Sequence, residues 1–106
     1  MRIAYIAGPY RSKYGIIGIA LNIWKARQVA KKYWKKGFAV ICPHSNSALF
    51  DGIVKDEVFL EGDREFIKRL NPKKDILVLM KDWRKSSGAI QEAFLANMIG
   101  INVVEE

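Results

Sequence analysis

The 106-residue chain is half hydrophobic and 27% charged, the balance of a single soluble domain with one core. No apolar run approaches the ~20 residues of a membrane span, "MRIAYIAGPY" lacks a signal-peptide core, and one cysteine, Cys42, excludes an internal disulfide framework and fits a reducing cytoplasm. The net charge of +7 admits an anionic small ligand or a nucleic acid as partner, but no nucleic-acid motif accompanies it.

In chain order, "RIAYIA" (2–7) is an apolar run halted by Gly8-Pro9 and reads as a buried first strand. Residues 8–18 hold three glycines, a proline and two tyrosines, which predicts a loop at that strand's carboxyl end. From Ile19 to Lys36 the period is helical, with Ile19, Ile23, Ala26, Ala30, Tyr33 and Trp34 on one face and Gly37 as the residue just past the end. Lys25, Arg27, Lys31, Lys32, Lys35 and Lys36 fall opposite that stripe, the pattern of a solvated face. "FAVIC" (38–42) is a second strand, and 43–56 is an irregular, polar stretch suited to a ligand loop. A helix follows over 57–70, a strand over 75–80, a loop over 81–87, a third long helix from the "SSGAIQEAF" stretch, and a last strand over 101–104. The order β-α-β-loop-α-β-α-β with near-continuous apolar strands predicts a three-layer α/β domain, Rossmann- or flavodoxin-like. Its four-stranded parallel sheet should run in the order 2-1-3-4. Ligands in such sheets bind beyond the carboxyl ends of the strands, here the loops at 8–14, 42–52 and 81–88.

Two carboxylates stand where hydrophobes belong. Glu92 falls among Ala89, Ala96 and Ile99, and it is too far from Ser86 and Ser87 to belong to a capping box. Asp63 falls in the stripe of Phe59, Phe66 and Leu70, extended by Leu60 and Ile67. Each could pair with a neighbouring base, Asp63 with Arg64 or Arg69 and Glu92 with Arg84 or Lys85. Both facing one ligand edge suits general acid/base work or nucleophilic attack on a sugar instead. Ser86, Ser87 and Gly88 open the last helix, where free N–H groups make an anion site, with Arg11, Arg84 and Lys85 adding charge; a plain serine cap explains the same residues. His44 is either a substrate contact or a strand-end histidine held by local backbone. Asn22 is placed to close the 8–14 loop, and Trp83 either stacks on a base or covers the sheet edge. Cys42 and His44 are too few for a protein-only metal site, so no metal is expected, and chemistry carried by the two carboxylates requires no organic cofactor.

Together "AYIAGPYR", "GFAVICPH", "EGDREFI" and "SSGAIQE" resemble, in order and over nearly the whole chain, the nucleoside 2-deoxyribosyltransferase-like superfamily. That superfamily includes the 2′-deoxynucleoside 5′-monophosphate N-hydrolases. The resemblance implies that Glu92 is the nucleophile attacking C1′ of the sugar, that Tyr5 orients it, and that Asp63 contacts the substrate and assists the leaving base. It matches Gly8 and Arg11 to the loop after the first strand, and Ser86 to a serine that helps hold phosphate in the hydrolases. Two departures stand out. The sequence ends at Glu106, before the segment that in the family carries a residue into a neighbouring subunit's site, and the 43–62 stretch is unlike the better-known enzymes. The expectation is therefore N-glycosidic bond cleavage or transfer on a nucleoside or nucleoside 5′-monophosphate. A nucleotide-binding module without turnover is the alternative and a basic nucleic-acid binder the third reading. Ile90, Phe94 and Met98, a second apolar stripe on the last helix, predict a homodimer or larger.

Overall fold

Four apolar runs become one sheet. In a computed structural model that describes all 106 residues they are β1 (Ile3–Ala7), β2 (Ala39–Ile41), β3 (Ile76–Leu79) and β4 (Asn102–Glu105). All pairings are parallel and the strand order is β2-β1-β3-β4, as predicted. β1 and β3 form the central pair, in register from Ala4–Ile76 to Ala7–Leu79, and are buried on both faces. A strand with no solvent face has no reason to alternate, which is why both read as unbroken apolar runs.

Helix α1 (Gly15–Lys35) covers one face, and α3 (Asp56–Lys68) and α4 (Ser87–Met98) cover the other. Strand alternation divides β1 between them. Ala4 and Ile6 meet Ala26, Ala30 and Tyr33 of α1, whereas Tyr5 and Ala7 meet Ala89, Ala93 and Ala96 of α4 with Ile67 and Leu70. The three alanines of α4 lie one above another and let that helix sit close to the sheet, so the residue between their turns, Glu92, comes down over Tyr5. A short helix, α2 (Pro43–Asn46), follows β2 with Pro43 in its first turn, where a missing N–H costs nothing.

The structure departs from the sequence reading in four places. α1 begins at Gly15, one turn before Ile19, and takes in Gly18: a Cβ there would lie 1.9 Å from the Ser12 hydroxyl, so the glycine serves a close loop contact rather than breaking the helix. Trp34, expected on the sheet-facing stripe, is 54% exposed at the rim of α1. In α3 the inward residue is Ile67, fully buried, while Phe66 turns outward. The 43–56 stretch holds α2 and an isolated bridge between Asp51 and Val54 rather than loop alone.

One buried acid is structural. Asp75 accepts the backbone N–H groups of Ile3 (2.8 Å) and Asn71 (2.6 Å), tying the loop before β3 to the start of β1. Two N–H donors satisfy its carboxylate where no cation is available.

A candidate active site at the carboxyl edge of the sheet

The chain leaves β1 at Ala7 and passes immediately beside the end of β3. A Cβ on Gly8 would stand 2.5 Å from the Met80 sulfur, so only glycine fits this crossing. The loop that follows is fixed by Asn22, whose amide donates to the carbonyls of Tyr10 (3.1 Å) and Arg11 (3.4 Å). Here, above the strand ends, the loops enclose a cavity of roughly 310 Å³. Gly8 and Arg11 line it from the first loop, His44 from α2, Asp63 from α3, and Ser86, Ser87, Gly88 and Glu92 from α4. Tyr5 lies beneath, fully buried. All nine residues singled out from the sequence are therefore in or directly under one cavity.

Neither inward acid is paired with a base. Arg69 reaches Glu65 (3.8 Å), Arg84 reaches Glu105 (3.6 Å), and Arg64 donates to the Gln91 side chain (3.3 Å). Glu92 instead accepts a hydrogen bond from the Tyr5 hydroxyl across 87 residues of sequence. Burial pushes the Glu92 carboxyl up to about 7; the Tyr5 hydrogen bond pulls it down, the Asp63 charge raises it, and Arg64 opposes that rise. Burial likewise pushes Asp63 up to about 6. Tyr5 is driven far above the ordinary phenol range by burial and by Glu92 and Asp63, so it stays a proton donor. Chemically this is a carboxylate aimed by a permanent donor, with a second carboxyl in the same cavity able to hold a proton near neutral pH.

The remaining expected contacts divide. His44 is held by backbone, though by a distant rather than a local segment: it is buried, its Nε2–H donates to the Pro9 carbonyl 35 residues away (2.7 Å), and Nδ1 is buried without a partner. Burial holds its pKa below the usual histidine range, against the pull of the Pro9 and Gly8 carbonyls. Its part in the site is to pin the first loop. Ser86 is a true N-cap, its hydroxyl accepting from Ala89 N–H (3.1 Å), while Ser87 and Gly88 open α4 toward the cavity. Arg11 lines the cavity but is already bridged to Asp51 (3.0 Å) and Asp56 (2.7 Å), two acids that the sequence reading passed over. An anion would have to compete with both. With Tyr10, whose hydroxyl accepts from Leu49 N–H (3.0 Å), these contacts hold the 47–56 segment over the site. Trp83 lies elsewhere, packed against the core with its indole N–H on Glu105 (3.0 Å), so it covers the sheet edge. No three His, Cys, Asp or Glu side chains gather as a metal site would require.

No protein-family model and no curated protein matches the chain.

Proposed function

We propose that the protein cleaves or transfers the N-glycosidic bond of a nucleoside or nucleoside 5′-monophosphate, through a covalent glycosyl ester on Glu92. The observation that carries this is the Glu92 carboxylate, held by Tyr5, unpaired with any cation, and sharing one cavity with Asp63. Structural acids are satisfied the way Asp75 is. An acid left with one neutral donor in a buried cavity is poised for charge that arrives with the substrate.

In the first step an oxygen of Glu92 forms a bond to C1′ as the C1′–N bond breaks, its electron pair leaving with the base. The base takes a proton from Asp63. Without substrate, burial favours the proton on Glu92 over Asp63. Cationic character at C1′ stabilises the ionised form of the adjacent carboxylate, so the arriving sugar would shift the proton to Asp63 and leave Glu92 as nucleophile and Asp63 as acid. In the second step water, or the nitrogen of a second base, attacks C1′, Glu92 departs, and the incoming proton returns to Asp63. Water makes the reaction hydrolysis; a base makes it transfer. Splitting one displacement into two easier ones is the source of the gain.

The open N-terminus of α4 at Ser87 and Gly88, with Lys85 beside it, favours a phosphate at that end of the cavity. The four acids of the cavity and the engagement of Arg11 weigh toward the uncharged nucleoside. Incubation with a panel of nucleosides and their 5′-monophosphates, followed by chromatography for free base, tests the reading. Release of base from at least one, and its loss in Glu92→Ala, is expected. Binding without release from any would leave a non-catalytic nucleotide-binding module instead.

A further inference from the structure

The outward face of α1 is not the plain solvated surface its lysines suggest. Tyr14, just before the helix, and Ile16, Ile17, Leu21 and Trp24 within its first half are each 50 to 78% exposed. The second half of the same face carries Arg27, Lys31 and Lys35, exposed and free of any carboxylate partner, and the helix contains no acidic residue. At ~100° per residue, Ile17, Leu21, Trp24, Lys31 and Lys35 fall within roughly 80° of one another around the axis. Apolar and cationic side chains therefore share one ridge over about 27 Å, apolar in its first half and cationic in its second, where exposed Trp34 stands beside the cations.

We propose that this ridge lies on an anionic membrane surface, its apolar half entering the headgroup boundary and its basic half resting on anionic headgroups. No helix is long and apolar enough to span a bilayer, so the contact is peripheral. Charge complementarity selects this occupant over two others. A twofold copy packed antiparallel along α1 would set Lys31 and Lys35 against Ile17 and Leu21. A single-stranded nucleic acid would use the cations and Trp24 but leave Ile16, Ile17 and Leu21 in water. An anionic, amphiphilic surface satisfies both halves at once.

The test is sedimentation of the full chain with vesicles of phosphatidylcholine containing 30% phosphatidylserine, beside vesicles of phosphatidylcholine alone. The protein should pellet with the first and not the second. Lys31→Ala with Lys35→Ala should weaken binding by roughly thirtyfold, and raised salt should weaken it further. Leu21→Glu should abolish binding while the far-ultraviolet dichroism stays native; Ile17→Ser serves the same purpose should Leu21→Glu not fold. Three results would overturn the proposal: no pelleting with the anionic vesicles, equal pelleting with both, or a mass that falls by half in light scattering on Leu21→Glu, which would assign the ridge to a second copy.

Discussion

Replacing Glu92 by Gln should make the protein more stable at pH 8 while destroying its activity. The carboxyl is raised from 4.5 to about 7 in the folded chain, chiefly by burial, so the folded state binds a proton there that the unfolded state has already released. Stability from this group is full below about pH 4.5 and is lost as pH rises to about 7. At 1.36 kcal/mol per pKa unit the loss is on the order of 3 kcal/mol, an upper figure because part of the carboxylate meets solvent in the cavity. Gln keeps the shape and an acceptor for the Tyr5 hydroxyl but cannot ionise. At pH 8 the variant should gain ~1–3 kcal/mol over wild type, which raises Tm by at least about 4 °C in a domain of this size. At pH 4.5 the two should melt together. Thermal denaturation followed by circular dichroism at both pH values gives the answer. The difference between the two proteins cancels the titrating groups that do not interact with Glu92, leaving Asp63 and Tyr5 coupled to it. A variant no more stable than wild type at pH 8 would refute the argument that Glu92 is held against its own desolvation. Asp63→Asn should show the same sign with a smaller gain, because that carboxyl is less deeply buried.

Tyr5→Phe removes the contact that lowers the Glu92 carboxyl, so the acid limb of the pH–rate profile should move to higher pH and kcat should fall ~10–100-fold; an unmoved limb would detach Tyr5 from the nucleophile. Ser86→Ala should cost about 1 kcal/mol in chemical denaturation from the lost cap, and calorimetry should show any preference for 5′-monophosphate over nucleoside narrowing; an unchanged preference removes the Ser86 hydroxyl from the phosphate site. Ile90, Phe94 and Met98 are 45 to 69% exposed on α4, so light scattering should find a dimer or larger that Phe94→Asp shifts toward monomer without unfolding it; a wild type monomeric at high micromolar concentration contradicts this.

What the sequence revealed follows from which forces are local. β1 and β3 were legible because burial on both faces leaves an unbroken apolar run, and the parallel order follows from strands separated by helices. Glu92 and Asp63 were legible as acids on apolar faces. That Tyr5 reaches Glu92 came from the motif resemblance; in the structure it is a consequence of β1 alternation and of the alanines that lower α4 onto the sheet. Other features depended on distant partners and left no local trace. Gly18 read as a loop glycine because Ser12, which needs its missing Cβ, is placed by the loop's own fold. Phe66 and Ile67 are neighbours of similar hydrophobicity, and only the tilt of α3 decides which is buried. Arg11 looked free because Asp51 and Asp56 lie 40 and 45 residues away. Trp34 looked inward because the period cannot show where the edge of β2 stops covering the helix.

A covalent bond from Glu92 to C1′ is directly measurable by mass spectrometry. A nucleoside fluorinated at C2′ destabilises cationic character at C1′, which slows breakdown of a glycosyl ester and lets it accumulate. After incubation with such analogues, as nucleosides and as 5′-monophosphates, the intact protein should gain the mass of the sugar or sugar phosphate. Proteolysis should place the increment on the peptide carrying Glu92, and Glu92→Gln should gain nothing. Base released from natural substrates with no adduct on Glu92 under any of these conditions, or with undiminished rate in Glu92→Gln, would contradict the mechanism.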